Sequence, residues 1–94
     1  MVVGVLELAF AVPAISLKDK RSVVKRIKHR TRNKFNVAVA EIEELDNPST
    51  AVLGVVAVGN ERRYVNSVMD HVTTFVENLG LAELVDQRLT LENY

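Results

Sequence analysis

The sequence predicts an α+β domain of the ferredoxin-like kind, β-α-β-β-α-β, with a four-stranded antiparallel sheet carrying two helices on one face. Three observations point there. Residues 1–12 and 51–58 are rich in β-branched side chains and apolar on both faces, as strands in the middle of a sheet are. The segments after Ser16 and after Asn60 instead repeat apolar residues at three- and four-residue steps, as amphipathic helices do. In the resulting order, two right-handed crossovers interleave on one sheet and place the first and third strands, the most apolar pair, at its centre.

The first strand ends at Pro13. Its sequence, MVVGVLELAFAV, shows no positive n-region, contains Glu7 and runs on into Pro13, so it reads as a strand rather than a signal segment. Ser16 followed by Asp19 has the spacing of a capping-box variant and opens helix one, with Val23, Val24, Ile27 and Thr31 on one face. Asn33 offers a left-handed close to that helix. Residues 35–45 return to strand chemistry, and Asp46-Asn47-Pro48-Ser49 is a turn into the third strand. Asn60 is the expected cap of helix two, in which Tyr64, Val65, Val68, Met69, Val72, Phe75, Val76 and Leu79 form the apolar stripe. Gly80 sits where a helix terminus needs positive φ, and residues 84–91 make a last, more polar strand. No boundary interrupts the 94 residues, so one domain spanning 1–94 is expected.

Net charge is zero, yet the charges are segregated. Nine of the 12 Lys and Arg lie between Lys18 and Lys34 against Asp19 alone, making that segment formally +8 and the remainder −8. At about 100° per residue, Lys18, Arg21, Lys25, Lys28 and Arg32 share an outward ridge opposite Val23 and Ile27, with His29 beside it. Like-charge pairs one turn apart each cost a few tenths of a kcal/mol, and cations in the first turn oppose the helix dipole. A partner anion must offset this: phosphate of RNA or DNA, or protein carboxylate such as the nearby Glu41, Glu43, Glu44 and Asp46.

Catalytic chemistry is sparse. There is no cysteine, and the two histidines, His29 and His71, are not at a metal-ligand spacing. Glu41 and Glu43, two apart on a strand, are expected to share a face as solvated edge charge. Gly4, Gly54 and Gly59 form no phosphate-cradling loop. Phe10, the only aromatic on a central strand, belongs with Leu6 and Leu8 in the core, so base stacking on the sheet is not expected. The expectation is a non-enzymatic protein without metal or cofactor. No apolar run reaches the 18 or so residues of a membrane span, which suits a soluble, cytoplasmic protein.

The segments Val3-Gly4-Val5-Leu6, Ser16-Leu17-Lys18-Asp19-Lys20-Arg21-Ser22, the run from Arg32 to Glu41 (RNKFNVAVAE) and Ala51-Val52-Leu53-Gly54-Val55 resemble the YlxP-like family of bacterial proteins. The resemblance implies a ferredoxin-like fold, often dimeric, no established activity, and genes commonly placed among those for translation and ribosome maturation. Relatives often carry a bulky aromatic in the turn where this chain has Asp46-Asn47-Pro48-Ser49-Thr50. Ser16, Lys18, Lys20, Arg21 and Glu41 are signature positions without assigned roles. Lys20 is the unusual one. It lies about 20° from Ile27 on the inward side of the first turn, where a lysine needs an acid, Glu41 or Glu7.

Together these readings predict a binding protein that contacts RNA or a ribosomal particle through helix one, with Lys18, Arg21, Lys25, Lys28 and Arg32 as the contact residues. The alternative is a homo-oligomeric interaction module whose basic helix meets acidic protein surface. Because the central strands are apolar on the side away from the helices as well, a homodimer through Val3, Val5, Leu53 and Val55 is also expected.

Overall fold

The structure, a computed structural model describing residues 1–94, runs β1 (Val2–Ala11), α1 (Leu17–Lys34), β2 (Ala38–Glu43), β3 (Thr50–Gly59), α2 (Arg62–Asn78) and β4 (Glu83–Asn93). Its one sheet is antiparallel throughout in the order β2-β3-β1-β4, so the two most apolar strands are central. β1 pairs with β3 without a slip, from Val2 opposite Gly59 to Ala11 opposite Thr50. That register decides which side of each strand meets the helices. Leu6, Leu8 and Phe10 share a face with Val55, Leu53 and Ala51, all at most 2% exposed, and α1 and α2 close over them with Val24, Ile27, Met69, Val72 and Val76. Each such side chain contributes about 1.5–3 kcal/mol by leaving water. Phe10 is in the core, as its alternation with Leu6 and Leu8 implies.

The same register corrects the expected interface. Val3 and Val5 stand on the outer face, but Leu53 and Val55 are 1% exposed beneath the helices. Val52, Gly54, Val56 and Val58 are the β3 residues on the outer face, because they pair with Ala9, Glu7, Val5 and Val3. An all-apolar strand has no alternation from which its facing could be read.

Two caps also differ from expectation. α1 runs past Asn33 to Lys34 and ends on Phe35 in extended conformation, φ −127°, rather than in a left-handed turn. The Phe35 ring docks edge-on against Phe75 at 5.5 Å, and its N–H donates to the Thr31 carbonyl at 2.9 Å. α2 starts one residue later than Asn60 would set it: Glu61 is its N-cap and makes no side-chain capping bond. Burial of Val65, Met69, Val72, Thr73 and Val76 holds this helix and outweighs the roughly 1 kcal/mol a cap contributes. Gly80 does take positive φ, +66°, just past the Leu79 C-cap of α2.

Two bulges shape the edges. In β2 the pairing passes from Glu41 opposite Leu53 to Glu43 opposite Val52, leaving Ile42 as the extra residue, packed against Gly54 on the outer face. Glu41 and Glu43 therefore stand on opposite faces and do not form a pair of carboxylates. A second irregularity between Ala9 and Phe10 leaves Val85 unpaired in β4.

Candidate nucleic-acid interface

α1 begins as its sequence implies: the Asp19 N–H donates to Ser16 Oγ at 3.1 Å. One turn in, Lys20 points inward and is fully buried. Its ammonium lies 2.8 Å from Glu41 Oε2, which has no directed hydrogen bond of its own, and it donates to the Glu44 carbonyl. Glu44 is the chain's one non-glycine residue with positive φ, +61°, and its carbonyl also accepts the Asn47 N–H at 3.1 Å. Farther along the same turn the Ser49 carbonyl accepts the Val12 N–H at 2.9 Å, tying it to the end of β1. Lys20 thus joins three segments: the first turn of α1, the bulged end of β2 and the β2–β3 turn. Of the two acids the sequence offered, Glu41 is the partner.

The remaining cations of α1 face water. Lys18, Arg21, Lys25 and Arg32 are exposed and Lys28 is half-buried, so the five expected ridge residues do share one side of the helix. The protein contains two ion pairs, Lys20 with Glu41 and Arg88 with Glu7. Every other Lys and Arg between Lys18 and Lys34, eight in all, has no carboxylate partner. The acids close in sequence do not neutralise the ridge: Glu41 goes to Lys20, Glu43 to the outer sheet face, and the Glu44 carboxylate accepts from Asn47 and Thr50.

Beside the ridge, Lys25, Arg26, His29 and Arg30 line a shallow hollow of about 300 Å3 on the helix surface. His29 Nε2 there meets Asn33 Nδ2 at 3.2 Å. Arg26 and Arg30 line this hollow and are not among the five expected ridge residues. The signal was present in their spacing, which puts both on the opposite flank of His29 from Lys25. Lys34 leans the other way, 5.9 Å from the centre of the Phe75 ring, a cation–π contact that ties the end of α1 to α2.

The outer face of the sheet differs in character. Val5, Ile42, Val56 and Val58 are 38–59% exposed there. A concavity of about 280 Å3 runs between Val5, Ala38, Ala40, Ile42 and Val56 over Gly54. At the other end of this face Glu7, Glu43 and Asp86 surround Arg88, whose Nε–H donates to Glu7 Oε2 at 2.9 Å. Hydrogen bonding to Glu7 and then its charge hold the Arg88 guanidinium above its ordinary pKa, with smaller contributions from Asp86 and Glu43. Nowhere do three His, Cys, Asp or Glu side chains converge as a metal site needs. No helix is long and apolar enough to cross a membrane.

Residues 3–89 match a family described as a protein of unknown function, DUF503. The uncharacterized protein YlxP of Bacillus subtilis (strain 168) is 38% identical over 63 residues, covering 67% of this chain and 68% of that one. Among solved structures, a de novo designed protein with a ferredoxin fold, LFR1 1, superimposes with a TM-score of 0.57 at 14% identity, over 100% of this chain and 87% of the design. A second de novo design, Foldit4, gives 0.53 at 10% identity, over 99% and 97%. At such identities these two likenesses speak to the fold.

Proposed function

The chain belongs to the DUF503 family of proteins of unknown function, and from its surface we propose a non-catalytic binding protein that contacts the phosphates of RNA through α1. The observation that carries this reading is the set of eight unpaired cations on one helix of a protein whose net charge is zero. A helix stabilised for its own sake would mix signs. Here the repulsion is tolerated, and a polyanion relieves it while releasing its own counterions. Gene neighbours in translation and ribosome maturation, implied by the family resemblance, favour RNA, free or in a ribosomal particle, over DNA. The test is purification of the intact protein at low ionic strength: nucleic acid should accompany it, be sensitive to ribonuclease, and leave at high salt. Protein free of nucleic acid that also fails to retain added RNA at low salt would overturn the reading.

A second reading, self-association, is favoured by the outer sheet face. Strands of 10, 6, 10 and 11 residues, about 4.8 Å apart and at about 3.3 Å per residue, give a footprint of roughly 600 Å2, near the ~800 Å2 per partner of a standard interface. Val5, Ile42 and Val56 rim a shallow apolar concavity over Gly54, into which side chains of a facing sheet can reach. The occupant we assign is a second copy of this chain, paired sheet to sheet. Because α1 lies on the other side of the sheet, pairing leaves both basic surfaces free. Val5→Glu places an unpaired charge at the centre of that contact and is expected to leave a monomer in sedimentation equilibrium at tens of micromolar, where wild type is a dimer. A wild type that is itself monomeric there would remove the proposal.

A further inference from the structure

We infer that the RNA form this helix fits is base-paired, A-form duplex, held across its shallow minor groove without regard to sequence; this rests on the phosphate-binding reading above. The exposed side of α1 is not one ridge but two rails. At about 100° per residue, Lys28, Arg21, Arg32, Lys25 and Lys18 fall within about 80° of one another, and Arg26 and Arg30 lie within about 40° of each other on the other flank, Lys34 beyond them being turned to Phe75. Between them lies a strip about 40° wide that carries Ser22, His29 and Asn33, small or neutral hydrogen-bonding side chains, all exposed. Asp19 interrupts the second rail only at its first turn. The longer rail, Lys18 to Arg32, covers about 21 Å at 1.5 Å per residue, and the rails flank a cylinder about 10–12 Å across.

Three features of the protein select among nucleic acids. Single strands are held largely by stacking on aromatic side chains. α1 has no aromatic residue; Phe10 is buried, Phe35 and Phe75 pack on each other, Tyr64 is on α2, and Tyr94 sits beside Met1 where β1 meets β4. α1 lies beside α2 in a single layer over the sheet, touching it through Phe35 and Lys34, so only its outward side is open to a nucleic acid. A helix in that position meets a duplex tangentially. The minor groove of A-form RNA is wide and shallow, bordered by phosphates and floored by 2′-hydroxyls. The rails match the phosphates, and the strip of Ser22, His29 and Asn33 matches hydroxyls that both donate and accept.

The test measures anisotropy of a labelled 20-base-pair RNA duplex, of one of its strands alone, and of the DNA duplex of the same sequence, each against the intact protein. The protein is used as wild type and as the double variant His29→Ala, Asn33→Ala, whose surface alanines preserve the helix. Duplex RNA is expected to bind about tenfold tighter than either alternative, and the double variant to lose most of that preference while its affinity for duplex DNA changes by less than about threefold. Single-stranded RNA or duplex DNA binding as tightly as duplex RNA would overturn the inference and leave the phosphate-binding reading standing. A double variant that keeps the full preference would remove the strip from the site and overturn it likewise. Failure to bind all three would instead defeat the reading on which it rests.

Discussion

Replacing Lys20 by Met is expected to cost about 3 kcal/mol of folding stability, more than any other single change to a charged residue of this chain. Met conserves much of the volume, so the loss isolates the charge. It leaves the Glu41 carboxylate facing the first turn of α1 without its ammonium and takes one of the two donors from the Glu44 carbonyl. The value sits at the low end of the range for broken buried pairs because the Glu41 side chain keeps 16% exposure and can turn partly to water. Lys20→Met combined with Glu41→Leu removes both charges and is expected to recover to within about 1 kcal/mol of wild type, since a buried pair replaced by apolar groups is often neutral. Urea denaturation of wild type, the two single variants and the double variant measures the coupling. A Lys20→Met variant as stable as wild type would show that the pair does not hold the β2–β3 turn to the helix. By contrast, the exposed Arg88–Glu7 pair should leave stability almost unchanged when removed.

The second large effect concerns binding and leaves the fold intact. Changing Arg21, Lys25, Lys28 and Arg32 together to Ala is expected to weaken RNA binding at least about 100-fold, because charge-assisted contacts to phosphate contribute about 1.5 kcal/mol or more each. The helix should persist. Alanine has the best helix propensity, none of the four side chains belongs to the core, and two like-charge pairs disappear. Thermal melts equal to or above wild type, with filter binding lost, form the expected pair of results. Undiminished binding by a folded quadruple variant would move the site elsewhere on the protein.

How far such features could be read from sequence depends on whether a periodic signal reached them. Helix α2, the inward turn of Lys20 and the ridge from Lys18 to Arg32 follow directly from a 3.6-residue period with charged and apolar residues in clear contrast. In AVLGVVAV that contrast is missing, so Leu53 and Val55 could not be told from Val52 and Val56 until the pairing with β1 fixed their facing. Ile42 carries no glycine or proline to announce its bulge, and the parity of Glu43 was lost with it. Asn33 and Asn60 have good cap chemistry, but Phe35 against Phe75 and the buried face of α2 set those boundaries instead. The choice of Glu41 over Glu7 for Lys20 was legible in alternation along β1, which turns Glu7 to the outer face once Leu6 and Leu8 face the helices.

The most direct measurement of the central claim is the affinity of the intact protein for RNA across a salt series from about 50 to 200 mM. Four to six phosphate contacts through α1 predict a log–log slope of about −3 to −5, at roughly 0.7–0.9 per contact, and a shallower slope for the quadruple alanine variant wherever its binding can still be measured. Binding that does not change with salt, or no binding at the low-salt end of the series, would contradict the account.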